Sequence, residues 1–277
     1  MFKFSDLSHV KVLDLSQNFS VNSPAFARYE GPTVKWVKRM AFEGVNAQHI
    51  SSTIHLSTHL DSPLHFYDPG PDIAGIPIEK LFGPAVVVDL EQFGIGDYDI
   101  YGPEHFEAWE KKYGIKIEKG DILIIHTGWH KYYNEEWSPT TKEYHKDARP
   151  DLPRYFLRQP GPTREFVEWV LDRGIRWMAI DAMSTDHPMA TVVRDQRPDI
   201  AREVEEHLGR PLDEIWPKED YQLTHTKLFP HGVFHVENIG GQIDLILNQR
   251  VWVGCFPFRF KGGEAAWCRV LAFVEEE

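Results

Sequence analysis

The 277-residue sequence predicts a single mixed α/β domain. Three observations carry this reading. Short apolar or alternating runs recur between Gly and Pro punctuation, a few segments with helical periodicity interrupt them, and the connections are uneven in length. Hydrophobic residues make up 42% of the chain and aromatic residues 13%, ample for a large buried core, so a disordered chain is excluded. One domain over residues 1–277 suits that length better than two full-sized ones.

The elements follow in order. Residues 10–15 (Val-Lys-Val-Leu-Asp-Leu) alternate apolar and polar side chains and read as an opening strand. Residues 84–90 form a β-branched apolar run of the kind covered on both faces, and residues 121–126, after the turn-like Lys119-Gly120, share that character. Between them, residues 102–113 read as a helix that opens with Pro103 and closes before Gly114. Residues 163–173 place Phe166, Val167, Val170 and Leu171 at helical spacing, with Thr163 as N-cap and Gly174 as stop. A strand at 176–181, a charged helix at 199–208, and strands at 233–239 and 267–274 complete the set. Residues 130–162 and 187–222, rich in Pro, Arg, Asp and Glu, read as two long insertions that cover a site or an interface.

Charge narrows the function classes. The net charge is −12 and the 30 Lys and Arg residues are scattered, so no basic stripe exists to track phosphates, which argues against a nucleic-acid partner. No apolar run is long enough to span a bilayer, and the excess negative charge repels acidic membrane surfaces. Only Cys255 and Cys268 are present, on apolar strands, which fits packing residues in a reducing, cytoplasmic setting. Neither a Gly-x-Ser-x-Gly elbow nor a glycine-rich phosphate loop occurs.

One cluster stands out: His55-Leu-Ser-Thr-His59-Leu-Asp61-Ser-Pro63-Leu-His65-Phe66. Imidazole and carboxylate together suit a divalent zinc, manganese or iron ion. Residues four apart lie about 13 Å apart on a straight strand but about 5–6 Å apart on a helical turn. Ser57, Thr58 and Pro63 argue against a long helix, so a tight turn or irregular loop is expected to gather the imidazoles. A metalloprotease helix is ruled out because Leu56 stands where that chemistry needs a glutamate.

The stretch resembles the HxGTHxDxPxH signature of the cyclase-like metal hydrolases, among them bacterial kynurenine formamidases, isatin hydrolases and trans-dienelactone hydrolases. Residues 81–89, 120–128 and 174–181 with Ser184 and Asp186, then 228–238 and the strand carrying Phe256-Pro-Phe, are similar to that family's later blocks in the same order. Ser57 departs from it, occupying the family's glycine; where that glycine supplies a positive φ, serine strains the turn. The resemblance implies a compact β/β/α sandwich and a homo-oligomer, dimer or tetramer. It implies His55, His59 and Asp61 as ligands of a first metal. Asp61 would bridge to a second ion completed by His225 and Glu237, giving one or two zinc or manganese ions per subunit. Sequence alone would instead pair His235 with Glu237, two apart on one strand face; His231 and His235 are taken as neighbours of the site. His126 and His187 are taken as structural.

His65 matches the family's catalytic histidine, and as a general base it would relay a proton from water to the leaving group. The expected function is metal-dependent hydrolysis of an amide, formamide, lactam or lactone in a small cyclic or aromatic substrate. Phe66, Trp36, Trp129 and Ser184 are the candidates to line its pocket. The competing readings are a cyclase or dehydratase acting on a small carbonyl compound, and a non-catalytic metal-stabilised binding protein.

Overall fold

The computed structural model describes residues 9–26, 29–133 and 151–275. The part of the expected first insertion at 134–150 lies outside the described residues. Strand β1 (Val10–Asp14) is followed by the hairpin strands β2 (Thr33–Lys38) and β3 (Ala47–Ser51), with the short helix α1 (Met40–Glu43) at their tip. Next come β4 (His59–Asp61), β5 (Phe82–Asp89), β6 (Ile100–Tyr101), α2 (Pro103–Tyr113) and β7 (Ile122–His126). The chain continues through α3 (Leu152–Leu157), β8 (Gly161–Pro162), α4 (Arg164–Arg173) and β9 (Trp177–Ile180). Helices α5 (Val193–Gln196), α6 (Pro198–Leu208), α7 (Leu212–Ile215) and α8 (Leu223–Leu228) precede β10 (Phe234–Glu237), β11 (Arg250–Pro257) and β12 (Ala265–Glu275). No helix among the described residues is long and apolar enough to cross a membrane.

Eight strands form one sheet in the order β1-β12-β11-β5-β7-β9-β10-β4, and β12 also pairs with β4. That second pairing closes the strands from β12 round to β4 into a ring, with β1 attached outside it. Strands β5, β7, β9 and β10 run parallel, and the remaining pairings in the ring are antiparallel. The period-2 side-chain alternation then separates two cores. Leu60, Ala85, Val87, Ile122, Ile124, Trp177, Ala179, Phe234, Val236, Val253 and Val270 meet inside the ring. Their sequence neighbours Val86, Val88, Leu123, Ile125, Met178 and Ile180 face outward, onto Phe106 and Trp109 of α2 and Phe166, Val167 and Val170 of α4. A β-on-β interior with helices on the outside gives the expected β/β/α layering. Each fully buried Val, Leu or Ile contributes on the order of 1.5–3 kcal/mol.

The helix boundaries match the capping signals closely. α4 starts one residue after Thr163, although the Thr163 side chain makes no capping hydrogen bond, and it stops at Gly174 in the left-handed region. The second expected insertion does more than cover a site. Ile200, Val204, Leu212, Ile215 and Trp216 bury against Met189, Val193, Tyr98 and Leu157 as a small core of their own.

Candidate metal centre

The expected loop at His55–Asp61 is only half correct, because His59–Asp61 is a strand rather than a turn. In the β4–β10 pair, His59 lies opposite Glu237 and Asp61 opposite His235. Leu60 and Val236 point into the ring interior, so His59, Asp61, His235 and Glu237 all lie on its outer face. The bend that returns His55 to this face runs through Ser57, whose φ is +54°. The family's glycine is thus explained as a left-handed position that serine occupies at a cost. Ser57 Oγ donates to the Asn18 carbonyl at 3.3 Å. Thr58 Oγ1 donates to the Asn238 carbonyl at 2.6 Å and accepts from the Gln17 N–H at 2.8 Å, stitching the bend to the end of β10.

Each imidazole is oriented by the nitrogen it turns away from the centre. His59 Nδ1 donates to the Ser57 carbonyl at 2.9 Å, and His225 Nδ1, on α8, donates to Asp186 at 2.6 Å. His55 Nε2 donates to Glu264 at 2.8 Å. The opposite nitrogens converge on the carboxylates. His55 Nδ1 lies 3.1 Å and His59 Nε2 3.3 Å from Asp61 Oδ1. His225 Nε2 lies 3.8 Å from Asp61 Oδ2 and 3.7 Å from Glu237 Oε1. Such outer hydrogen bonds are what fix the tautomer and aim of metal-binding histidines.

The buried charges of the cluster act strongly on one another. Burial opposes the charge on Asp61, yet His59 and His55 outweigh it and hold its carboxyl well below the usual range. Burial and then the charge of Asp61 push Glu237 up. Burial works against the His55 imidazolium, but Asp61 and Glu264 carry it up to about 11. His59 Nε2 and both Asp61 oxygens are buried without a hydrogen bond. An orphaned imidazole nitrogen facing an orphaned carboxylate is costly in a dry site unless a cation joins them, so the donor set fits a divalent ion. His55, His59 and Asp61 have the reach to hold one, and so do the overlapping groups Asp61, His65 and His225, and His225, His235 and Glu237.

His65 borders this set, with a ring nitrogen within 4.8 Å of ligand atoms of Asp61 and His225. It ends the one-turn 3-10 helix Pro63–His65, its ring stacked on that of His55 at 4.1 Å. Its Nδ1 is 2.9 Å from Glu264, the same carboxylate that accepts from His55. A carboxylate only accepts, so Nδ1 carries the hydrogen and Nε2 keeps its lone pair. Burial, opposed by the Glu264 hydrogen bond, draws the His65 pKa below its ordinary value. Burial raises and the two histidines lower the Glu264 carboxyl, which settles at about 2. Glu264 was not foreseen, because a lone acidic residue before β12 has no local pattern tying it to His55 or His65.

A cavity of about 490 Å³ opens over the cluster. Phe26, Tyr29, Phe66 and Val192 supply its apolar wall, and Ser184, Gln196 and Gln222 its polar groups.

Residues 13–187 match the Cyclase family model. The chain belongs to the Cyclase family. It is 23% identical over 207 residues to a kynurenine formamidase of Bacillus thuringiensis (strain Al Hakam), covering 74% of this chain and 70% of that protein. Its fold is similar to that of isatin hydrolase A from Ralstonia solanacearum, with a TM-score of 0.70 and 22% identity over 96% of this chain and 92% of that one. It also resembles a structure described as a potential metal-dependent hydrolase with cyclase activity, at a TM-score of 0.61 and 20% identity, covering 97% and 100%.

Within this Cyclase-family chain the pocket expectations divide. Phe66 lines the cavity, 4.9 Å from the His225 ring, and Ser184 lines it too. Trp36 does not. It sits on the separate two-stranded β2–β3 sheet, 42% exposed under the Arg39 guanidinium, because that hairpin has no core of its own to bury it. Trp129 is buried in the helix-side core, its indole N–H bonded to the Tyr155 carbonyl, and does not line the cavity either. His235 Nδ1 meets the Thr185 hydroxyl at 3.0 Å beside the His225 ring, whereas His231 is exposed. His187 is buried and stacked on Trp216.

Proposed function

We propose that this Cyclase-family protein is a metal-dependent hydrolase that cleaves an amide, formamide, lactam or lactone bond of a small cyclic or aromatic substrate. One observation carries the reading. The unpartnered buried nitrogen of His59 and the unpartnered carboxylate of Asp61 lie beneath a cavity that His65 also lines, its Nδ1 held by Glu264. The amide-cleaving names of the relatives accord with it. His55, His59 and Asp61 would hold one zinc or manganese ion, with His225 and Glu237 completing a second across Asp61. A divalent ion there supplies Lewis-acid polarisation of a carbonyl and acidifies water towards neutral pH. His65, neutral and held by Glu264 through Nδ1, takes the proton at Nε2 and returns it to the leaving amine or alkoxide. Phe26, Tyr29 and Phe66 give a flat ring apolar contact, while Ser184, Gln196 and Gln222 offer hydrogen bonds to its polar edge.

The test is a panel of formamides, lactams and lactones with metal-reconstituted protein, read by product mass. Hydrolysis adds one water; a product of unchanged or reduced mass would support the cyclase or dehydratase reading instead. His65→Ala is expected to keep its metal and lose about 10²–10⁴-fold in kcat. Full activity in that variant would remove the mechanism.

The working unit is a homo-oligomer. Trp36, Val37, Met40, Phe42, Val45 and Ile50 leave an apolar surface on the β2–β3 hairpin that the described residues do not cover, which supports pairing with another copy. The two free, buried cysteines accord with a cytoplasmic setting.

A further inference from the structure

We infer that His126, His130 and Asp244 form a second, independent site for a divalent transition-metal ion of the zinc class. The residues come from three places that the fold brings together. His126 is the last residue of β7, His130 lies in the 3-10 turn Trp129–Tyr132 just beyond it, and Asp244 lies in the 3-10 turn Ile243–Leu245 before β11. Ligand-capable atoms of the three lie within 4.8 Å of one another, and none belongs to the His55 cluster.

Both histidines are aimed in the way metal-binding histidines are. His126 Nδ1 donates at 2.9 Å to Asp89, its register partner at the end of β5. His130 Nδ1 donates at 3.0 Å to Asp181, which follows β9. Asp181 has nothing further to give: one oxygen accepts from the Thr127 N–H and hydroxyl, the other from the Trp129 N–H and His130. Two carboxylates therefore act as orienters, and both Nε2 atoms turn to a third carboxylate. His126 Nε2 lies 3.4 Å from Asp244 Oδ1, and His130 Nε2 lies 3.3 Å from Asp244 Oδ2.

Two features favour a metal over a pair of ion-paired histidines. His126 is fully buried, yet its Nε2 makes no hydrogen bond. Charge-assisted N–H···O bonds close to about 2.7–2.9 Å, whereas ligand atoms at 2.0–2.1 Å around a tetrahedral ion are about 3.3 Å apart. The observed separations match the second figure. Protonating both rings, whose centroids are 5.3 Å apart, would also set two like charges side by side, where one divalent ion replaces both protons. Asp244 is 39% exposed, so a fourth position opens to solvent for water or a small anion.

The test is metal stoichiometry on chelator-stripped full-length protein reloaded with Zn²⁺ and desalted. Adding Asp244→Ala to the His55→Ala/His59→Ala variant, which weakens the first centre but leaves His225 and Glu237 in place, is expected to remove one tightly held equivalent. Equal zinc in the double and triple variants would overturn the site. A measurement that needs no variant is zinc-edge anomalous diffraction from zinc-loaded wild type. A peak between His126 Nε2, His130 Nε2 and Asp244 supports the assignment, and its absence at saturating zinc overturns it.

Discussion

Replacing Thr58 with valine preserves the side chain's shape and removes its hydroxyl. That hydroxyl donates to the Asn238 carbonyl at 2.6 Å and accepts from the Gln17 N–H at 2.8 Å, both in buried surroundings. Valine leaves one buried acceptor and one buried donor unsatisfied, at about 1–3 kcal/mol each. The expected loss is therefore about 2–6 kcal/mol. At roughly 2–4 °C per kcal/mol for a chain of this size class, Tm should fall by about 4–24 °C. Thr58→Ser isolates the cause, because it keeps the hydroxyl and gives up one methyl group, worth about 0.8 kcal/mol. Thermal unfolding of the metal-free proteins, followed by circular dichroism, compares the two. A valine variant within 2 °C of the serine variant would refute the view that this hydroxyl ties the bend at His55 to β10.

Two further outcomes follow from other parts of the molecule. Burial draws the His187 pKa down to about 3. The unfolded chain takes up this proton near pH 6.5 and the folded chain does not, so stability is full above pH 6.5 and declines as pH falls towards 3, by up to about 1.4 kcal/mol per unit. His187→Asn, whose side chain still offers the Met189 N–H an acceptor, should flatten denaturant-derived stability between pH 6 and 4; identical slopes would show that His187 is not held neutral. On the hairpin, Phe42 is 86% exposed, and Phe42→Glu should reduce the particle mass seen by light scattering without changing secondary structure. An unchanged multimeric mass would place the interface elsewhere.

The sequence was most readable where burial is regular. β5, β7 and β9 are continuous β-branched or apolar runs because both of their faces are covered, and their positions fall within two residues of expectation. α4 was legible through Gly174 and its apolar stripe. The hairpin β2–β3 was not, because no described residue covers it and its pattern carries no alternation between buried and exposed positions. β4 was hidden for the opposite reason: all three of its residues are buried, but two of them are ligand-type side chains that read as loop chemistry. Glu264 and Asp244 reach their histidines only through tertiary pairing, so no local spacing announced them. The spacing of His126 and His130 equals that of His55 and His59, yet the first pair bends through Gly128 at φ +75° and the second through Ser57.

The double pairing of β4 has a consequence for biosynthesis. This three-residue strand is held on one edge by β10 and on the other by β12, both from the C-terminal end of the sequence. His55, His59 and Asp61 are therefore translated long before either neighbour exists, and they wait as an unpaired segment until β10 and β12 have emerged from the ribosome. Pairings this remote in sequence are slow to find. On the proposed assignment, metal acquisition at His55, His59 and Asp61 would have to wait for β10 and β12, and a nascent chain stalled before β12 would carry these side chains without the geometry to use them.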